Sequence, residues 1–486
     1  MGRRYYDIII IGGGVVGSSI ARELSRYQVN TAVLEKEADV CCGNSGRNTG
    51  LLHAGFFYQP GTQKARFTVE GNRAFDKIAN ELDIPFKRTG KLVVGFTDED
   101  RIRLHELMLN GNRCGVPGLE IIGRDEIKAL AQYVDAEYAM YSPTSGITCP
   151  YLYTIALAEN AKSNGVDYYF EHEVISVKLE DNGIYTVHTP LGSFRSKWII
   201  NSCGIESAKM SALLGSFDHK IAMVKGEYIL LDKNAGEYLN MPIYPAPDEN
   251  WIFDIHVTPT VDGNVLIGPT CDEFISTADF DTSGSAGASL IRGGSMLFKN
   301  MRPDLFIRRF SGIFPRLIDP VTGNEASDFT IEHRKESPHI INLVGINSPG
   351  LTCAYPIGKY VADLIADNER LNLNKSFNPE RKGIQRFSEQ DYETQQELIR
   401  LNPDYGEIIC RCEHVTRAEI IQAIKNPLGV TSVNAIKYRT RATMGRCQGG
   451  YCETRITSIL ENELGIDKTD ICLNDSKSYM FTGKVI

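Results

Sequence analysis

Two hydrophobic periods alternate along this chain. Tyr5 to Ile11 is an apolar, β-branched run, the pattern of a strand covered on both faces. Past Gly12-Gly13-Gly14 the spacing becomes helical from Val15 to about Tyr27, and a second short strand, Thr31 to Leu34, ends at Glu35. Alternating positions at Gly226 to Leu231 and Val257 to Ile267 predict strands. From Asn368 to Gly383 the chain is polar without an apolar stripe and reads as a linker, and Ser388 to Arg400 reads as a polar helix. Thr416-x-x-Glu419 is a capping box opening a helix that buries Ile420, Ile421, Ala423 and Ile424, stopped by Pro427 and Gly429. Further helices are predicted at about Ser432 to Arg439 and Arg455 to Leu464, and the tail beyond Gly465 has no clear pattern.

The first strand–turn–helix unit carries Gly12-x-Gly14-x-x-Gly17. Glycines at those positions permit a tight turn, close approach of backbone to a pyrophosphate, and close packing of helix on strand. The helix N-terminus adds unpaired N–H groups and a partial positive charge. Glu35, 23 residues after Gly12, stands where a carboxylate accepts hydrogen bonds from ribose hydroxyls. Together these predict dinucleotide binding. The same run is too short, and lacks a small-residue cleavage site, for a signal peptide.

With 486 residues the chain exceeds one ordinary core, so two or three domains are expected. A net charge of −9, with no basic stripe, excludes nucleic acid as an expected partner. No run of apolar residues is long enough to span a bilayer. A cytoplasmic location is expected, with peripheral attachment at the inner face of the cell membrane left open. Of the twelve cysteines, eight share no spacing and are expected to be reduced thiols.

A glycine-rich segment, Gly43-Asn-Ser-Gly-Arg-Asn-Thr-Gly-Leu-Leu-His-Ala-Gly-Phe-Phe-Tyr58, can press its backbone against a flat ring. It resembles the flavin-lining motif of the D-amino-acid-oxidase-like family of FAD enzymes, closest to its glycerol-3-phosphate and L-2-hydroxyglutarate dehydrogenase branch. Thr49 stands where serine is usual. Further stretches are similar to that family: Trp198 to Gly204, Lys225-Gly-Glu-Tyr228, His256 to Thr270, and Asn347-Ser-Pro-Gly-Leu-Thr352. The resemblance implies an α/β fold, an FAD-binding Rossmann-like domain of glutathione-reductase type within residues 1–370. An antiparallel-sheet substrate domain is interleaved with it at about 84–142 and 216–330. It assigns FAD to Gly12, Gly14, Gly17, Glu35, Ser45, Arg47, Asn48, Thr49, Gly50, Leu51, Val174, Gly204, Gly350, Leu351 and Thr352.

The chemistry the resemblance implies is hydride transfer from a carbinol carbon, which needs a proton acceptor and a cation for an anionic substrate. His53 is the candidate base and His256 the candidate for polarising the hydroxyl, since imidazole titrates near neutral pH. Lys225 and Arg316 are candidates for the anion, with Tyr58 adding a hydrogen bond. The family's Gly-x-Arg-Pro reads Gly312-Ile-Phe-Pro315, so Phe314 replaces the usual arginine.

Four cysteines remain, Cys410-x-Cys412 and Cys447-x-x-x-x-Cys452. Brought together by a helical unit, they can furnish four thiolates to zinc or to a [2Fe–2S] cluster, although zinc pairs are most often two residues apart. Cys410-Arg-Cys-Glu413 and Met444-Gly-Arg-Cys-Gln-Gly-Gly-Tyr-Cys452 resemble the bacterioferritin-associated-ferredoxin-like (BFD-like) [2Fe–2S] module, which implies the cluster. This gives a linker at 371–407, a small helical [2Fe–2S] domain at 408–465 and a tail at 466–486. Arg411, Arg439, Arg441 and Arg446 are read either as softening the cluster charge or as a solvated face.

The expected activity is oxidation of a small anionic substrate, sn-glycerol 3-phosphate, to dihydroxyacetone phosphate. Electrons are expected to pass through FAD and the cluster to a quinone or a partner redox subunit. A 2-hydroxy acid such as L-2-hydroxyglutarate, an amino or imino acid, or a non-catalytic electron-transfer or sensor role are the alternatives. Oligomerisation is compatible with the sequence.

Overall fold

The computed structural model describes residues 4–215, 218–274, 276, 279–299 and 301–483. The first sheet pairs in parallel, in order, the strands Asp167–Tyr169, Thr31–Leu34, Arg4–Ile11, Gly192–Asn201 and Ile340–Val344, and antiparallel strands Tyr185–Thr189 and Thr330–Glu332 extend it. The apolar run predicted as a doubly covered strand is its centre, with Ile8, Ile9 and Ile10 wholly buried. Helices Val15–Leu24 and Gly350–Glu369 pack over one face through Ile20, Leu24, Ile357 and Val361. Tyr185, Val187, Phe194, Met210 and Leu214 close the other face. The first helix ends at Leu24, three residues before the predicted Tyr27, where Ser25 turns its hydroxyl back to the Arg22 carbonyl.

A second sheet stands above the first. Its longest strands, Lys220–Leu231 and Phe306–Ile318, run antiparallel, and Leu92–Gly95, Tyr138–Tyr141 and Glu120–Gly123 extend it. One pairing, Ile243–Pro245 with Leu92–Gly95, is parallel. The sheet is thus antiparallel apart from the join where two chain segments meet. Val257–Pro259 and Val265–Ile267 form the predicted alternating pair as a hairpin.

The C-terminal unit has helices Arg417–Ile424, Val433–Thr440 and Glu453–Leu464 around Ile420, Ile436, Ile456 and Leu460. Thr416 and Glu419 form the capping box reciprocally, Thr416 N–H donating to Glu419 Oε2 at 2.8 Å. The polar stretch read as a linker lies bound along the flavin-side sheet and its helices. Asn374 Nδ2 donates to Ser25 O, Arg381 pairs with Glu159 at 2.7 Å, and Gly383 N donates to Asp83 Oδ2. The patternless tail also folds back, with Ser476 Oγ donating to Glu171 Oε1 at 2.6 Å. All twelve cysteines are free of disulfides.

Two of the arginines read as solvated or cluster-softening are buried at the junction between units. Arg439, its side chain 2% exposed, pairs with Asp39 at 2.7 Å and Glu159 at 3.1 Å. Around it Leu428, Val430 and Ala435 pack on Val40, Ile155 and Ala158. Removing one partner of a buried pair strands the other charge, at a cost of about 3–5 kcal/mol. Arg439→Ala is therefore expected to lower the unfolding temperature and to expose the chain near residue 408 to limited proteolysis. An unchanged melting curve and digestion pattern would refute the clamp.

Candidate functional site

A cavity of about 1210 Å³ runs from the end of the strand Arg4–Ile11 into the second sheet. At its first end Gly12 takes φ +105°, and a Cβ there would meet the Ser202 carbonyl at 2.6 Å. A Cβ on Gly17 would lie 2.0 Å from the Gly12 carbonyl, so helix and strand approach only without side chains. Glu35 ends the second strand, its carboxylate fixed by N–H groups of Gly13 at 2.6 Å and Glu37 at 2.9 Å. Burial pushes its pKa upward. Val174 and Gly204 line the wall beside it.

In the middle, Ser45 Oγ accepts from Val15 N at 2.9 Å, tying the glycine-rich segment to the helix that holds phosphate. Asn48 folds the segment on itself by donating to Asn44 O and Ser45 O and accepting from Gly50 N. Arg47 lies over the Phe280 ring, its guanidinium 4.2 Å from the centroid. Thr49, Leu51, Gly350 and Leu351 complete this wall. Gly17, Gly50 and Thr352 stand behind it. Gly50 sits at φ +69° with no room for a Cβ beside the Thr148 carbonyl, and Thr352 Oγ1 accepts from His53 N at 3.0 Å. Asn347 Oδ1, in the wall, is buried without a partner among the described residues. A hydrogen-bond donor of bound FAD would meet that need, and the long, glycine-floored cavity suits a dinucleotide cofactor.

At the far end His53 and His256 both enter the wall. His53 Nδ1 is 3.5 Å from the Tyr58 hydroxyl and Nε2 is 3.4 Å from Ser348 Oγ. Burial, and then the Lys91 charge, push its pKa down to about 3. His256 stacks on Tyr244 with centroids 3.7 Å apart, and burial, Lys91 and His53 hold it well below the usual imidazole value. Both shifts favour the neutral ring, which presents a nitrogen lone pair. Burial pushes the Tyr58 phenol upward, leaving it a proton-bearing donor.

The predicted anion ligands fare differently. Arg316 reaches the wall beside Phe314 but pairs with Glu325 at 3.1 Å. Lys225 is not part of the wall; its amine lies 3.4 Å from Asp279 Oδ1, and the antiparallel register to Ile313 keeps it in the sheet. Lys91, Lys64 and Tyr244, not singled out from sequence, line the cavity instead. The one local signal for Lys91 was a charge abutting the wholly apolar strand Leu92–Gly95.

The four distal cysteines meet as two pairs. The Cys410 and Cys452 thiols hydrogen-bond and are buried, and those of Cys412 and Cys447 hydrogen-bond and are exposed. Within each pair one thiol shifts down and the other up: the Cys452 thiol and then backbone N–H groups bring Cys410 to about 6. The loop backbone takes left-handed φ at His414, Thr443 and Gln448, turning N–H groups toward sulfur, and Thr443 N–H serves both Cys410 and Cys452. Among the described residues no three His, Cys, Asp or Glu side chains converge on a single ion position. Two pairs suit a two-iron centre, with two thiolates for each iron, better than one tetrahedral zinc.

Gly17→Ala is expected to yield protein without yellow colour, because its methyl group collides with the Gly12 carbonyl; stoichiometric FAD in that variant would contradict the assignment. Cys447→Ser is expected to lose acid-labile sulfide while keeping FAD, and retained sulfide would remove Cys447 from the ligand set.

Comparison with known proteins agrees with this geometry. The DAO family pattern, described as FAD dependent oxidoreductase, matches residues 7–364, and the BFD-like [2Fe-2S] binding domain matches residues 408–462. The chain is 36% identical over 481 residues to the glycerol 3-phosphate dehydrogenase of Caloramator mitchellensis, covering 98% of each. It is 32% identical over 272 residues to the mitochondrial L-2-hydroxyglutarate dehydrogenase of Caenorhabditis elegans, covering 54% of this chain and 63% of that protein. The FAD-bound, dithionite-reduced L-α-glycerophosphate oxidase of Mycoplasma pneumoniae superposes with a TM-score of 0.72 at 26% identity, over 78% of this chain and 98% of that one. The chain therefore belongs to the DAO family of FAD-dependent oxidoreductases and is a glycerol-3-phosphate-dehydrogenase-like flavoenzyme with a BFD-like [2Fe–2S] domain.

Proposed function

We propose that the protein oxidises sn-glycerol 3-phosphate to dihydroxyacetone phosphate and passes the electrons to a quinone or a partner redox protein. The observation that carries the reading is a cavity end whose wall holds His53, His256 and Lys91 beside the flavin-binding segment, with burial lowering the pKa of both imidazoles. Similarity along nearly the whole chain to a glycerol 3-phosphate dehydrogenase supports the substrate, because it extends through the cysteine domain. Bound FAD supplies an acceptor for a hydride, and a [2Fe–2S] cluster supplies a carrier of single electrons.

The residues of this chain manage the proton and the position of the substrate. His53, uncharged at working pH, accepts the hydroxyl proton as the carbinol C–H bond breaks, leaving a ketone. Tyr58 and Ser348 lie at its two ring nitrogens and fix its plane. His256, held flat against Tyr244, points a second imidazole at the same region and orients the oxygen. The aromatic walls of Phe57, Phe253 and Tyr244 keep water away from the reacting carbon. The buried Cys410–Cys452 pair faces the protein and the Cys412–Cys447 pair faces solvent, an order that supports inward receipt and outward release of electrons.

Anaerobic titration of the holoenzyme tests the substrate. sn-Glycerol 3-phosphate is expected to bleach the flavin stoichiometrically, while L-2-hydroxyglutarate, glycine and proline leave it oxidised. Turnover is expected with a dye acceptor and with little peroxide. Bleaching by L-2-hydroxyglutarate alone would transfer the reading to 2-hydroxy acids, and no bleaching by any of them would favour a protein that exchanges electrons only with other proteins.

A further inference from the structure

The family's usual arginine is absent, because position 314 is Phe, and each alternative cation found in sequence is already matched. Arg316 is paired with Glu325 and Lys225 with Asp279. Lys64 lines the cavity but feels the carboxylates of Glu325 and Asp328. Lys91 is different. Its residue is 1% exposed, yet it belongs to the cavity wall. Its backbone is fixed in both directions to Ser142, at 3.1 and 2.9 Å. Its amine lies 3.2 Å from the centroid of Tyr244 and 5.2 Å from those of Phe56 and Phe253. Among the described residues that amine has no ion pair and no hydrogen bond. The ionisable groups sensed around it are the imidazoles of His53 and His256. The phenols of Tyr244 and Tyr58 belong to the same wall, and no carboxylate pairs with the amine.

An ammonium group buried without an anion is costly, and aromatic faces offset only part of that cost. The cavity end is therefore a set of donors awaiting a negative ligand. We propose that Lys91 is the seat of an oxyanion-binding subsite, which takes the phosphate or carboxylate end of the substrate and gains one proton from solvent when that anion arrives. The inference rests on the reading of this cavity as the substrate site and names the group that selects anionic alcohols. Its geometric support is the lining position, the burial and the missing partner. Desolvation, which holds the free amine well below the ordinary lysine value, supplies the sign: an anion that stabilises the charged form draws a proton onto the amine. Binding then weakens as pH rises above the value for the free amine, since each bound anion requires one proton that solvent yields less readily.

Sulfate is a suitable probe, because its own charge does not change between pH 6 and 9. Anaerobic holoenzyme is titrated with sulfate across that range, with the flavin spectrum as readout and competition with sn-glycerol 3-phosphate as control. The dissociation constant is expected to rise with pH, by up to about tenfold per unit, the linkage limit for one coupled proton. Lys91→Met is expected to retain its FAD, bind sulfate at least about tenfold more weakly (the loss of one charge-assisted contact) and show no such slope. Lys91→Arg, permanently charged, is expected to bind with a flat profile. Native affinity and slope in Lys91→Met overturn the proposal. So does a slope that survives in that variant and vanishes in His256→Gln, which assigns the proton to the imidazole. If sulfate behaves as stated while sn-glycerol 3-phosphate fails to bleach the flavin, the subsite stands and the substrate reading fails. If bleaching occurs with an unchanged KM in Lys91→Met, the converse holds.

Discussion

Arg441 donates through Nε to Glu413 at 2.8 Å, through Nη1 to Asp262 at 2.7 Å and Tyr151 at 3.1 Å, and through Nη2 to Asn264 at 2.9 Å. One buried guanidinium thus touches the cysteine unit, the second sheet and the helix Pro150–Ser163 of the flavin side. Burial opposes a carboxylate at Asp262, but the charges of Arg441 and Arg386 outweigh it and hold Asp262 below its ordinary range. The residue before Glu413 is Cys412, a candidate cluster ligand, and Tyr151 places its hydroxyl 3.6 Å from Met444 Sδ in the loop that carries Cys447. A rigid join of this kind is what fixes two redox groups at a constant separation. Pairs so deeply buried contribute little net stability as a class, and their value lies in admitting one docked arrangement.

The two ends of the cavity solve opposite electrostatic problems. At the dinucleotide end, backbone N–H groups and a helix terminus await phosphate, and a buried carboxylate waits for ribose. At the substrate end, burial lowers the pKa of His53, His256 and Lys91 alike, so imidazole proton acceptors are available without a carboxylate base. That state depends on apolar walls from three separate chain segments: Phe56 and Phe57 after the glycine-rich segment, Tyr244 in the second sheet, and Phe253 in the loop before His256.

Glycine spacing, the strand preceding it and the acid at Glu35 made the nucleotide end legible, because each acts through local backbone geometry that travels with the sequence. The capping box at Thr416 and the three helices near the cysteines were legible for the same reason. The DAO and BFD-like resemblances extended that reach to FAD and to the [2Fe–2S] cluster. Placement of charge was not legible. Arg439 lies in the last turn of a helix and Arg441 just past it, and both read as solvent-facing or cluster-softening, yet they pair with Asp39, Glu159 and Asp262, in distant segments of the chain. The polar stretch read as a linker is pinned to the flavin side, where Asn374 and Arg381 find acceptors at Ser25, Leu82 and Glu159.

Sequence alone therefore determined the cofactor-holding turns, the cysteine set and the helical character of the last unit, all of which depend on contacts within a few tens of residues. Tertiary structure decided that Lys225 is tied to Asp279, that Lys91 lines the cavity with no ion pair among the described residues, and that the cysteines form an inner and an outer pair. The physical reason is the range of the interaction: backbone conformation is set by neighbours in the chain, whereas desolvation and pairing of a charge are set by whichever distant segments the fold packs against it.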